Sequence, residues 1–145
     1  VTNEAQNILF EALDKLDVNL TGIILKPNMV TSGSSCEKQA STEEIAELTI
    51  KCLAKNIPKE VPGIAFLSGG QSDENASNNL SHINKINSNP WKLTFSYGRA
   101  LQLEAMKKWC GDNNQNSEAQ KIILKRAHFN SLAASGKYNL EMENN

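Results

Sequence analysis

The sequence predicts an α/β fold with parallel strands, and two observations support this prediction. Three short apolar stretches, residues 22–25, 63–67 and 92–97, recur at roughly 30- to 40-residue intervals. Between them lie segments whose apolar residues recur at helical spacing. Because strands that alternate with helices pair in parallel through right-handed crossovers, the chain forms either an unusually small open sheet or three consecutive βα units of a barrel. The start at Val1 rather than methionine favours the barrel, because it indicates one part of a longer polypeptide.

Length and charge exclude several classes of protein. The 145 residues suffice for one domain or a piece of one, whereas a complete eight-stranded α/β barrel needs ~250. Fifteen basic and 16 acidic residues nearly cancel, so we expect no nucleic-acid or membrane partner. No apolar run approaches the ~20 residues that span a bilayer. The three cysteines are widely spaced and form no C-x-x-C pair, which favours a soluble protein in the reducing cytoplasm.

The first two helices have clear sequence signals. Asn3, with Gln6 three positions later, predicts the start of the first helix. Its predicted buried face consists of Ile8, Leu9, Ala12, Leu13 and Leu16. Ser41 and Glu44 form a capping-box pattern for the second helix, which is expected to end before Pro58. The predicted inward residues of that helix are Ile45, Leu48, Cys52 and Leu53.

The remaining helices follow the second and third strands. We expect a third helix capped near Ser72, a fourth opened by Gly98 and ending at Gly111, and a last one from Ser117 to about Gly136. Their predicted inward residues are Ala76, Leu80 and Ile83 in the third helix, and Leu101, Ala105, Met106 and Trp109 in the fourth. The polar tail after Tyr138 is predicted to be disordered.

A distinctive chemical group follows each predicted strand, at the sheet edge where parallel α/β proteins bind ligands. Lys26 follows the first strand. Desolvation at such a position increases the fraction of free amine and suits a lysine to imine formation with a carbonyl substrate. The alternative is a lysine that simply extends into solvent.

The other two strand ends predict a phosphate site. Ser68, Gly69 and Gly70 precede a helix N-terminus, where glycines allow backbone N–H groups to approach an anion. Arg99 adds a guanidinium suited to phosphate oxygens. The alternative for Ser68–Gly70 is an ordinary glycine turn, and the alternative for Arg99 is a surface ion pair. Taken together, the three strand ends favour a carbonyl-trapping lysine beside a phosphate site. Neither histidine belongs to a metal-ligand spacing, so no metal is expected.

These motifs resemble those of class I fructose-bisphosphate aldolases. The resemblance rests on LKPNMV at 25–30, GIAFLSGGQS at 63–72 and LTFSYGRAL at 93–101, and it extends to RAHFNSLAASGKY at 126–138. It implies that residues 1–145 are the C-terminal segment of a single (β/α)₈ TIM-barrel domain, with its sixth to eighth strands and the following helices.

The resemblance also implies the chemistry. Lys26 corresponds to the Schiff-base lysine, and the iminium that it forms with fructose 1,6-bisphosphate acts as the electron sink for cleavage to dihydroxyacetone phosphate and glyceraldehyde 3-phosphate, without a cofactor or metal. The implied substrate-binding residues are Ser68, Gly69, Gly70, Ser96, Gly98 and Arg99.

Two departures from the family pattern limit what this chain is expected to do alone. The family's catalytic aspartate, further lysines and proton-handling glutamates lie on strands that would precede Val1, so we expect no turnover without the remaining barrel portion. The family ends in a terminal tyrosine, whereas Tyr138 matches an interior one. The resemblance further implies a homotetramer and possible cytoskeletal partners. A non-catalytic interaction role and a small phosphate-binding α/β module are the alternative functions.

Overall fold

A computed structural model describes residues 1–144, and within them five helices alternate with three strands. The elements are α1 (Thr2–Lys15), β1 (Ile24–Leu25), α2 (Thr42–Asn56), β2 (Gly63–Phe66), α3 (Asp73–Ile86), β3 (Lys92–Phe95), α4 (Arg99–Trp109) and α5 (Asn116–Ala134). Short 3₁₀ helices occupy Leu20–Gly22, Asn113–Gln115 and Leu140–Asn144. Within the described range, no helix combines the length and apolarity needed to cross a bilayer.

The three strands form one parallel sheet, as predicted, and they lie in the order β1-β2-β3. Leu25 pairs with Ile64, which in turn pairs with Leu93. Hydrogen bonds continue past the strand ends, because Leu67 N donates to Pro27 O at 2.9 Å and Ser96 N donates to Phe66 O at 2.8 Å. The strands are shorter than predicted at several ends; Gly22, for example, belongs to a 3₁₀ turn. The extra bonds nevertheless keep the carboxyl edge aligned.

The two faces of the sheet have opposite surroundings. One face packs on the helices and is buried; its residues include Leu25, Ile64, Phe66 and Leu93. Alternate residues point the other way. On that side, which we call the open face, Ile24, Lys26, Lys92 and Thr94 are exposed. A Cβ added to Gly63 would lie 3.3 Å from the Ile24 side chain, which shows that these two positions share the open face.

Helix α1 differs from its prediction in its cap and in its buried face. The helix begins at Thr2, after Val1, and Asn3 instead accepts a hydrogen bond from Asn56. Of the predicted buried residues, Ile8, Leu9, Ala12 and Leu16 are exposed. Phe10 and Gln6 are buried instead, because that side of α1 packs on α2, where Cys52 donates its S–H to Gln6 Oε1.

The other helices follow their sequence signals more closely. Both arms of the Ser41–Glu44 capping box are present, and Ser72 caps α3 by accepting from Asn75 N. Helix α4 ends at Trp109, and its C-cap residue Cys110 adopts the left-handed conformation one position before the predicted glycine. Three residues predicted to point inward are instead largely exposed, namely Leu48, Met106 and Trp109.

The predicted disorder of the C-terminal tail is wrong for the part that the structure describes. Leu140–Asn144 forms a 3₁₀ helix whose Glu143 carboxylate contacts Arg126 Nη1 at 2.6 Å and accepts from the Tyr138 hydroxyl at 2.7 Å. Ser81 Oγ donates to Tyr138 O at 2.8 Å, which ties the same segment to α3. Asn145, the last residue of the predicted tail, lies outside the described residues.

Candidate functional site

Lys26 lies at the carboxyl edge of the sheet, directly after β1. One position past the pair of Leu25 and Ile64, it falls opposite Ala65 and on the same open face as Thr94. Its side chain is exposed and takes part in none of the hydrogen bonds or ion pairs that the structure shows for residues 1–144. The described residues therefore do not provide the expected desolvation of Lys26, because none of them packs over it on the open face. The ammonium is left free to meet a ligand above the sheet.

The Ser68–Gly70 segment forms a tight turn into α3. Gln71 N donates to Ser68 O at 3.0 Å, and Gly70 adopts a φ of +80°, which a residue with a side chain rarely adopts. Ser68 is buried, whereas Gly69 and Gly70 are exposed. Both glycines line a polar cleft of about 470 Å³ that the hydroxyl-rich segment 31–42 closes on its other side. The turn thus presents main chain to open space, as a phosphate cradle requires.

The third group begins where β3 ends. Ser96 is half-buried and is fixed by its N–H bond to Phe66 O. Gly98 is the N-cap of α4 and offers no side-chain cap, and the first turn of α4 carries no acidic residue. The N–H groups of the first two residues of α4 therefore remain available to an anion, whereas Leu101 N already donates to Gly98 O. Arg99 is exposed, and none of the ion pairs in residues 1–144 involves it, so the alternative of a surface ion pair is not seen there.

The sheet register brings these groups to one edge. Neighbouring strands lie ~4.8 Å apart, so the backbones of β1 and β3 are ~10 Å apart. Because side chains on the open face point away from the plane of the sheet, a ligand that contacts both Lys26 and Ser96 would extend across this separation above that face. The polar cleft includes Gly69 and Gly70 but not Lys26, Ser96 or Arg99.

Tyr97 is a component of this region that the sequence reading did not identify. It is 6% exposed, its ring lies 5.4 Å from that of Phe95, and its hydroxyl donates to Ala76 O in α3 at 2.9 Å. Burial raises the pKa of the Tyr97 phenol, so the hydroxyl stays protonated and remains a donor. The sequence signal that could have identified Tyr97 is its position between Ser96 and Gly98, where the strand alternation places its side chain on the inward side.

Histidine and cysteine side chains do not form a second site in the described chain. His82 Nε2 lies 3.7 Å from Glu43 Oε1 and links α3 to α2. The cysteines are all free, and burial raises the pKa of the Cys52 thiol. Among residues 1–144, no group of three or more His, Cys, Asp or Glu side chains could hold a metal ion.

Comparison with known proteins decides the family. The family model described as "Fructose-bisphosphate aldolase class-I", a glycolytic family, matches residues 1–145. The chain belongs to the class I fructose-bisphosphate aldolase family. The resemblance drawn from the three strand-end motifs is confirmed.

Individual relatives support the same family assignment. The chain is 46% identical over 138 residues to a fructose-bisphosphate aldolase of Plasmodium falciparum, and 48% identical over 139 residues to aldolase B of Gallus gallus. It is 49% identical over 139 residues to a probable class 1 aldolase of Xanthomonas axonopodis. Each match covers 95% of this chain but only 38 to 42% of the relative. The chain thus spans about two fifths of the length of the relatives it matches.

A solved structure supports the same architecture. The ternary complex of Plasmodium falciparum fructose-bisphosphate aldolase with TRAP and a small-molecule inhibitor superposes with a TM-score of 0.92 at 45% identity. The match covers 95% of this chain and 40% of that chain. The three-stranded parallel sheet with its helices is therefore part of a (β/α)₈ barrel, and the alternative of a small open sheet is not supported.

Proposed function

We propose that residues 1–145 form the C-terminal segment of a single barrel domain, from its sixth strand onward, in a glycolytic enzyme. That enzyme reversibly cleaves fructose 1,6-bisphosphate to dihydroxyacetone phosphate and glyceraldehyde 3-phosphate. The observation that carries the proposal is the position of Lys26, exposed at the carboxyl edge of the sheet and on its open face, in a chain that the aldolase family model matches throughout. Each relative above is named as an aldolase.

Lys26 forms the covalent intermediate. Its free amine adds to the ketose carbonyl, and loss of water gives an iminium. The hydroxyl on the fourth carbon then gives its proton to a base in the other part of the barrel as the bond between the third and fourth carbons breaks. The electron pair of that bond moves toward the iminium nitrogen, and the aldehyde leaves. Protonation of the resulting enamine and hydrolysis by water release dihydroxyacetone phosphate and regenerate the lysine. The iminium is the electron sink, so this route requires neither a metal nor another cofactor.

The phosphate of the ketose binds between the second and third strand ends. Ser68 and Ser96 supply hydroxyls, Gly69, Gly70 and Gly98 supply main chain, and Arg99 supplies the cation. The geometry that supports this assignment is the exposed main chain of the two glycines, the uncapped start of α4 and the guanidinium of Arg99, which forms no ion pair within residues 1–144.

The remaining catalytic groups belong to the other part of the barrel, so turnover requires the full-length enzyme. We infer a cytoplasmic homotetramer, as expected for a glycolytic aldolase. The Plasmodium structure contains TRAP in addition to an inhibitor, and this supports a partner-binding role beside catalysis. Cytoskeletal partners remain a prediction, and a purely non-catalytic role is not favoured.

Borohydride trapping tests this proposal. In the full-length enzyme, dihydroxyacetone phosphate and borohydride should together leave a reduced adduct on Lys26, located by peptide mapping, and Lys26→Arg should abolish both the adduct and cleavage. Lys92→Arg is the matched control, because Lys92 lies on the same open face but at the amino end of β3, opposite Gly63. An adduct on Lys92, or cleavage by Lys26→Arg, would contradict the proposal.

A further inference from the structure

The two halves of the proposed phosphate site come from different βα units. The turn Ser68–Gly70 leads into α3, while Ser96 and Arg99 lie between β3 and α4. At the sheet edge a single backbone bond, from Ser96 N to Phe66 O, joins the end of β3 to that of β2. Beyond that bond, both segments leave the sheet. Their relative position then depends on side-chain contacts.

A buried hydrogen bond joins the two halves beyond the sheet. The Tyr97 hydroxyl donates to Ala76 O at 2.9 Å, and Ala76 is 0% exposed. Ala76 lies in the first turn of α3, where its N–H donates to Ser72 O at 2.9 Å. Ser72 in turn follows the glycine turn directly. The contact therefore reaches from the middle of the Ser96–Arg99 segment to the helix turn that supports Ser68–Gly70.

The surroundings keep this contact in one geometry. The Tyr97 ring is enclosed in the hydrophobic core and packs at a tilted angle against Phe95. Inside the core, water does not compete for the hydroxyl, so loss of the bond leaves Ala76 O without this donor. The helix fixes Ala76, and the strand end fixes Tyr97. The Tyr97 hydroxyl thus adds a direct hydrogen bond between the two segments beyond the sheet.

We propose that Tyr97 is a positioning residue for phosphate binding. Its hydroxyl holds the Ser96–Arg99 segment against the first turn of α3, so that the Arg99 and Ser96 groups converge on the anion cradled by Gly69 and Gly70. Small displacements of binding groups reduce affinity strongly, because the groups then cannot contact the anion together. This inference rests on the proposed function and adds to it a residue that does not touch the substrate.

Tyr97→Phe in the full-length enzyme tests the proposal, with Ser81→Ala as the matched control. Both changes delete a buried hydroxyl that donates to a backbone carbonyl, at 2.9 and 2.8 Å respectively, and both bonds involve α3. The Ser81 bond, however, leads to Tyr138 rather than to the phosphate loops. Two quantities are measured: the KM for fructose 1,6-bisphosphate and the inhibition constant of inorganic phosphate.

Tyr97→Phe should raise both constants about 3- to 10-fold while kcat stays within about twofold, as expected for loss of one neutral hydrogen bond that acts on binding. Ser81→Ala should change neither constant. Equal shifts in the two variants, or unchanged constants in Tyr97→Phe, would overturn the positioning role. Borohydride trapping on Lys26 in the same Tyr97→Phe protein separates the two hypotheses, since failure to trap there and in the parent enzyme would refute the proposed function instead.

Discussion

Removing the Glu143 carboxylate should release the C-terminal 3₁₀ segment from the helix layer. Three contacts meet at this one residue. Its carboxylate contacts Arg126 Nη1 and the Tyr138 hydroxyl, and its backbone oxygen accepts from Lys125 Nζ at 3.2 Å. Glu143→Ala removes the first two contacts together. The tail then keeps the Ser81 bond to Tyr138 O and the Lys125 bond to its backbone, but it loses the carboxylate that contacts Arg126.

The expected size of this effect follows from the burial of the Arg126–Glu143 ion pair. The side chains of Arg126 and Glu143 are only 8% and 18% exposed, so water compensates a lost partner poorly. Arg126 Nη2 retains its bond to Ser77 Oγ, whereas Arg126 Nε has no partner among the described residues. Breaking a buried ion pair costs about 3 to 5 kcal/mol. A loss of about 3 kcal/mol in the free energy of local opening corresponds to roughly 100-fold faster amide exchange.

Hydrogen exchange followed by mass spectrometry measures this effect on the peptide covering residues 138–144. The control is Glu118→Ala, because Glu118 forms an ion pair with Lys121 of nearly the same length, 2.7 Å, but with both side chains more than half exposed. Exposed pairs contribute little, so exchange should be nearly unchanged in the control. If Glu143→Ala leaves the exchange of the tail peptide within twofold of the parent protein, the Arg126–Glu143 pair does not hold the segment.

Two further predictions concern the proposed reaction. Arg99→Ala removes a charge-assisted phosphate contact worth ~1.5 to 3 kcal/mol and should raise the KM for fructose 1,6-bisphosphate roughly tenfold to a hundredfold. Imine formation at Lys26 should survive, and equal weakening of a ketose without that phosphate would make Arg99 a structural residue. Because an iminium acts as the electron sink, EDTA should leave cleavage unchanged. Activity that is lost in EDTA and restored by zinc would contradict the Schiff-base mechanism.

Local patterns in the sequence predicted most of the fold. The capping box of Ser41 and Glu44 needs only residues three positions apart, and the structure contains both of its hydrogen bonds. The apolar stretches that contain Ile64 and Leu93 predicted the strands, because each is bounded by turn residues. The expectation that the three strand-end groups lie at one edge of the sheet followed from the parallel topology alone. These features depend on neighbours along the chain, so they can be predicted without knowing which other elements pack against them.

Features that depend on distant residues could not be predicted in this way. Helical spacing identifies an apolar face of α1 that contains Ile8 and Leu16, but it does not say which neighbour the helix packs against. The sequence of the C-terminal tail predicts disorder because it contains few apolar residues. Its order comes from a buried arginine 17 positions earlier, which sequence spacing does not relate to Glu143. The exposure of Lys26 likewise depends on what covers the open face of the sheet.

The core and the proposed site are specified by the same strand register. Leu25, Ile64 and Leu93 lie side by side on the buried face, and the next position along each strand turns to the open face, where Lys26 lies. A shift of one residue in β1 would bury the lysine among the helices and expose the leucine. The buried ammonium would need a partner that this core does not offer. Apolar packing on one face therefore selects the orientation of Lys26 on the other, so substitutions at Leu25 should perturb imine formation through register as well as stability.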